Sequence, residues 1–220
     1  MVVKNINLKR KVAQLALKYI PKGGPIGLGS GTTIDILAQM IEKPVNPIYC
    51  VSKNAKKVLK EKKATQLSSP KGIKVAFDGV DQIVISNKRL VAIKGAGALD
   101  FAKEKALDYS AKELVLLADK SKLRKKKVAK IFVEIEKKFV GFVLEKTNQL
   151  GVKLKKVRKN NPNLVGKKNV FYYFNTKKFS ELSEMEDLLE SIKGVVCCGI
   201  FSKKKFILLV GYNNYVKVVK

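Results

Sequence analysis

The chain has 220 residues, 46% of them hydrophobic and 29% charged. That is enough apolar material for one large domain, or a large domain with a smaller companion, and it argues against a disordered chain. The net charge of +28 attracts anions, but the basic residues are spread throughout and Arg occurs only at Arg10, Arg89, Arg124 and Arg158; a surface that specifically reads nucleic-acid bases is therefore not expected.

Residues 8–20 place Leu8, Val12, Leu15 and Tyr19 on one stripe and read as a first helix rather than a secretory signal. After a break at Pro21, Gly23, Gly24 and Pro25, a short strand at 26–28 runs into GLGSGTT (27–33) and a helix at 34–43. Strand 48–51, helix 53–63, strand 73–77, apolar 82–85, strand 90–93, helix 100–112 and strand 113–118 follow. This alternation predicts an α/β fold: a mostly parallel, Rossmann-like sheet flanked by helices. After the basic stretch 122–130, strands at 131–135, 151–158, 169–174 and 194–201 with helices at 139–149 and 180–193 give the split β-α-β-β-α-β order of a small ferredoxin-like α+β domain. Strands at 206–211 and 215–219 return to the first sheet. The expected division is a catalytic domain of 1–127 completed by 205–220, and a small domain of 128–204 with a possible role in assembly.

No apolar run reaches membrane-span length, and the three cysteines, adjacent Cys197 and Cys198 with Cys50 far away, point to a reducing, cytoplasmic setting. Histidine is absent, so any general acid or base is Asp, Glu, Lys, Tyr or Cys.

Four polar or glycine-rich segments follow predicted strands. The turn at 27–33 combines glycines, hydroxyls and a helix N-terminus, which suits a phosphate, although an ordinary tight turn would look similar. Asp78-Gly-Val-Asp81 offers two carboxylates that could hold sugar hydroxyls, do acid–base work or simply cap a turn. Metal is disfavoured there because no histidine and no third close acid accompany the pair. Lys94-Gly95-Ala96-Gly97 could surround a developing oxyanion, and Glu104 lies on the helix that follows. Asp119-Lys-Ser-Lys122 is the fourth. Each segment alone has a plain structural reading; together, at the carboxyl ends of strands, they resemble the equipment of a small polyol-phosphate enzyme.

The motifs GLGSGTT (27–33), DGVD (78–81), KGAGAL (94–99), EK (104–105) and ADKSK (118–122), with IKGVVCCGIF (192–201), VG (210–211) and VKVV (216–219), resemble type A ribose-5-phosphate isomerases over nearly the whole chain. That resemblance implies interconversion of ribose 5-phosphate and ribulose 5-phosphate, with Glu104 shuttling the proton. It assigns Asp78, Asp81 and Lys94 to sugar hydroxyls and ring opening. Lys122 and the Gly95–Ala96–Gly97 loop face the sugar, and Gly29, Ser30, Gly31, Thr32, Thr33 and Lys9 hold the phosphate. It implies no metal and no organic cofactor, a small-molecule sugar-phosphate substrate, a homodimer or homotetramer, and no membrane partner. Val80 and Gln82 replace the family's usual Ala and Glu, Ala96 replaces a glycine, and the Lys94–Glu104 spacing is one residue longer than usual, with Asp100 as a rival acid. A non-catalytic sugar-phosphate sensor and a basic nucleic-acid-binding protein are the alternative readings.

Overall fold

The most continuously apolar strands of the sequence become the middle of a six-stranded sheet. The computed structural model describes residues 5–97, 99–123, 129–158, 164 and 168–219. The sheet contains β1 (Ile26–Leu28), β2 (Ile48–Cys50), β3 (Val75–Gly79), β6 (Glu113–Asp119), β12 (Ile207–Gly211) and β13 (Val216–Val219). Its order is β13-β12-β6-β3-β1-β2, parallel throughout except for the antiparallel edge strand β13. Strands covered on both faces need no polar alternation, which is why Leu114, Val115, Leu116 and Leu117 are all buried in β6.

Helices α1 (Ile6–Ala16), α2 (Thr32–Met40) and α3 (Lys53–Glu61) turn their apolar stripes to this sheet. Val12, Ala13, Leu37, Ala55 and Leu59 join Leu28, Phe77 and Val115 in one core cluster. Each such Leu or Phe, fully buried, stabilises the fold by roughly 1.5–3 kcal/mol. Two polar devices fix the helix ends. Ser52 accepts the Ala55 N–H at 3.2 Å and donates to Asp35 Oδ1 at 2.5 Å, tying the start of α3 to the first turn of α2. The Lys62 ammonium donates to the carbonyls of Ala38, Gln39 and Ile41 at 3.3, 2.5 and 2.7 Å, capping the end of α2.

A second set of elements builds its own core. Strands β7 (Ala129–Ile135), β8 (Lys155–Lys156), β9 (Val170–Thr176) and β10 (Val195–Cys198) form a sheet of order β10-β7-β9-β8, all antiparallel. Helices α5 (Val140–Gln149) and α6 (Leu182–Ser191) bring Val143, Leu182 and Leu189 onto Ile131, Val133, Tyr172 and Phe174. The hairpin β4 (Gln82–Ser86) and β5 (Arg89–Ile93) pairs with β11 (Ile200–Phe201) as a separate three-stranded antiparallel sheet.

The chain is a mixed α/β fold in two compact units: Met1–Val80, Lys103–Leu123 and Lys204–Lys220 in one, Asp81–Ala102 and Arg124–Lys203 in the other. The hairpin of residues 81–102, expected with the first domain, groups with the second because β5 pairs with β11. The strand expected at 151–158 shortens to Lys155–Lys156, since only these two residues pair with Tyr173 and Tyr172. The strand expected at 194–201 breaks at Gly199, whose carbonyl accepts the Lys94 N–H at 3.0 Å while its own N–H goes to Phe132 O at 2.8 Å. A Cβ at Gly199 would lie 2.3 Å from Lys94 O, so only glycine fits that crossing point.

Candidate active site

The glycine-rich turn is built over a buried acid. Gly29 extends the parallel pairing of β1, its N–H donating to Phe77 O at 2.8 Å. Directly beneath it sits Asp78, with no solvent exposure. A Cβ at Gly29 would come within 1.9 Å of Asp78 Cγ, so the glycine makes room for the carboxylate. Asp78 Oδ1 accepts the Ser30 N–H at 2.9 Å and the Gly79 N–H at 2.6 Å. A desolvated carboxylate needs such donors, and these are charge-assisted. The sequence reading put Asp78 against sugar hydroxyls; the structure gives its Oδ1 to the backbone of the turn.

Ser30, clamped through its N–H, points its hydroxyl the other way and donates it to Glu104 Oε1. Glu104 lies in the first turn of α4 (Phe101–Ser110) and is 6% exposed. Glu104, four residues beyond the half-buried Asp100, thus meets the Ser30 side chain of the glycine-rich turn.

The other end of the turn is the start of α2. Gly31 takes φ +106°, a conformation that favours glycine, and starts α2 with Gly31 and Thr32 exposed and Thr33 half-buried. Lys9 on α1 donates from its ammonium to Thr32 Oγ1. Burial lowers the Lys9 pKa from its ordinary value; attraction to Asp119 opposes the shift and repulsion from Lys122 adds to it. Lys9 thus touches Thr32 at the start of α2 and feels the charges of Asp119 and Lys122 beyond the carboxyl end of β6. Asp119, buried at the end of β6, orders its own loop by accepting the Ser121 N–H at 2.9 Å.

In the second unit, Asp81 Oδ2 accepts the Ala96 N–H at 2.7 Å, and the Asp81 N–H donates to Ile93 O at 3.0 Å. Lys94 is 3% exposed and holds its ammonium 4.7 Å from the centre of the Phe201 ring. Gly95 adopts φ +109°, and a Cβ there would meet the Phe101 ring at 2.9 Å. Ala96 and Gly97 are exposed, whereas Ala98 lies outside the described residues. One expectation needs correction. Three of the four polar segments follow strands of the parallel sheet, but the Lys94 loop follows β5, a strand of the antiparallel three-stranded sheet. Gln82, in place of the usual acid, is 4% exposed and its Nε2 has no hydrogen-bond partner among the described residues.

Sequence reasoning did not find the Ser30–Glu104 bond, Phe201 under Lys94, or Asp119 as the counter-charge of Lys9. Only Asp119 had a visible signal, as the first residue of a polar segment after an apolar strand. Among the described residues, no three His, Cys, Asp or Glu side chains form a group able to hold a metal ion. No helix of the described residues is long and apolar enough to cross a membrane.

Known proteins resemble this chain over nearly its whole length. The family profile "Ribose 5-phosphate isomerase A (phosphoriboisomerase A)" matches residues 49–215. Ribose-5-phosphate isomerase A of Pyrococcus furiosus is 32% identical, over 96% of this chain and 96% of its own. The Methanocaldococcus jannaschii protein of the same name is 31% identical, over 98% and 99%. The solved structure of ribose 5-phosphate isomerase A from M. jannaschii superposes with a TM-score of 0.83 at 28% identity, covering 99% of this chain and 100% of that one. By this profile match and these identities over nearly its whole length, the chain belongs to the ribose 5-phosphate isomerase A family.

Proposed function

We propose that this chain interconverts D-ribose 5-phosphate and D-ribulose 5-phosphate through an enediolate, with Glu104 as the base. The observation that carries this reading is the Glu104 carboxylate, almost fully buried and hydrogen-bonded to the turn whose far end pairs Thr32 with Lys9. Family membership supports the substrate.

In the forward direction Glu104 takes the proton from C2 of the open-chain aldose. The C2–H electron pair becomes the C1=C2 bond, and negative charge moves to the former carbonyl oxygen, O1. Glu104 then returns its proton to C1 while the hydroxyl proton of O2 passes to O1, leaving a carbonyl at C2. One carboxylate serves both steps because the two carbons are neighbours. Lys94 is assigned to the developing oxyanion with the Gly95–Gly97 loop around it, whose Ala96 N–H is held by Asp81, and Asp81 to sugar hydroxyls and ring opening. Lys9 and the turn of Gly29–Thr33 are assigned to the phosphate, with Lys122 beside the sugar. The proposal includes cytoplasmic residence and an assembly of two or four copies, which light scattering would check.

A coupled assay on ribose 5-phosphate tests the reaction. Glu104→Gln should lower kcat at least about 100-fold, the scale of a general acid–base contribution, with a modest change in KM. Near-normal turnover in that variant would remove Glu104 from the role.

A further inference from the structure

Ser30 belongs, by resemblance, to the phosphate-holding turn, yet its atoms are engaged elsewhere. Its N–H is held by Asp78 Oδ1 at 2.9 Å, and its hydroxyl is donated to Glu104 Oε1. Asp78 itself is locked in place by the second N–H, from Gly79, and by the absence of a side chain at Gly29. Its carboxylate cannot follow solvent, having none around it. The backbone on the far side is fixed too, since a Cβ at Gly79 would lie 2.8 Å from Ser30 O. All of these groups lie in the first unit, and they connect the strand ends of β1 and β3 to α4.

We propose that Ser30 is a positioning residue for the base: Asp78 fixes the Ser30 backbone, and the Ser30 hydroxyl in turn fixes the plane of the Glu104 carboxylate. The inference rests on Glu104 being the base. A glutamate has three rotatable bonds, and productive transfer needs its carboxylate held within a narrow geometry over two adjacent carbons. A single hydroxyl anchored from behind supplies that restraint without spending a charge. Phosphate recognition is then left to Lys9, Gly31, Thr32 and Thr33, the part of the turn that opens to solvent and to the α2 N-terminus.

Steady-state kinetics on ribose 5-phosphate separate the two roles. Ser30→Ala should lower kcat about 10- to 100-fold, the worth of a hydrogen bond to a charged group, with KM changed less than about threefold, because an orienting contact acts on the chemical step. Ser30→Thr, which keeps the hydroxyl, should recover most of the rate; Ser30→Val, of the same shape without it, should not. In a Glu104→Gln background, Ser30→Ala should add little further loss, because the group it orients is gone. A rise in KM with kcat preserved would make Ser30 a phosphate ligand and overturn the inference. Equal rates for the Thr and Val variants, or full multiplication of the two losses in the double variant, would do the same. If Ser30→Ala does not fold, the Thr and Val pair decides, and failure of both hydroxyl-free variants to fold would make the serine structural and end the proposal. Activity that survives Glu104→Gln alone would instead overturn the base assignment, whatever the Ser30 series shows.

Discussion

Substituting Gly29 by alanine isolates the physical core of this site. The added methyl would sit 1.9 Å from Asp78 Cγ and 2.0 and 2.3 Å from its two oxygens. No rotation of a flexible tail relieves this, because the obstructing atoms are a buried carboxylate held by backbone N–H groups. Overpacking of this kind costs about 1–3 kcal/mol. The carboxylate must also shift, and losing one of its two charge-assisted bonds adds about 1.5–3 kcal/mol. The expected loss is therefore about 2.5–6 kcal/mol out of a total stability of about 5–15 kcal/mol. For a chain of this length each kcal/mol moves the unfolding midpoint by about 2–4 °C, so a fall of about 10 °C is expected. Thermal unfolding followed by circular dichroism measures it, with isomerase turnover read in parallel. Gly31→Ala is the control, since its Cβ meets nothing within 4 Å and only its backbone, φ +106° and ψ 162°, resists a side chain; it should cost about 1–3 kcal/mol. A Gly29→Ala protein that melts within about 2 °C of wild type, a shift worth no more than about 1 kcal/mol, would refute the claim that Asp78 is locked beneath the turn.

Two further expectations concern groups away from the reaction. Lys62→Met keeps the apolar stem but removes the ammonium that caps three carbonyls at the end of α2, and should lower stability by about 1–2 kcal/mol in chemical unfolding. Burial pushes the Cys50 thiol up to about 12, so at pH 8 only about one molecule in ten thousand carries the thiolate, and a thiol reagent should label Cys50 only after denaturation. The sign for stability follows from the same shift. The unfolded chain loses this proton near the ordinary value of 9.0 and the folded one near 12, so between those values the folded state binds more protons and stability falls as pH rises.

Much of the fold was legible because period and punctuation agree. The strand–turn–helix at 26–43 and the apolar run at 113–118 appear as β1, α2 and β6 with ends shifted by a residue or a few. What could not be read was partnership. The sequence marks 90–93 as a strand after a hairpin, but nothing local says that Ile93 pairs with Ile200 instead of joining the parallel sheet. The site divides in the same way. The loops were visible as glycine, acid and lysine clusters, and Glu104 could be chosen over Asp100 by register with the following motif. The Ser30–Glu104 bond spans 74 residues, and the Asp78–Ser30 bond spans 48. Nor does an Asp after an apolar strand reveal whether it faces a ligand or the backbone beneath one; that depends on Gly29 lacking a side chain, which only packing discloses.

Residues 29 to 33 answer a positional problem that any such isomerase faces. The phosphate and the reacting carbons are at opposite ends of a five-carbon chain, so an anchor at one end helps only if the base keeps a constant distance from it. On the proposed reading the base rides on α4 and the phosphate anchor on α2, two helices more than 60 residues apart in the sequence. The turn links them. Thr32 meets Lys9 at the end proposed for the phosphate, and two residues earlier Ser30, whose N–H is held by the buried Asp78, meets Glu104. Because a displacement of about 1 Å can cost about 100-fold in rate, the buried Asp78 earns its place through geometry as much as through charge. On this reasoning a change at Asp78 would degrade the alignment of the base before it altered the phosphate pocket, which is the reverse of what an acid in direct contact with the sugar would do.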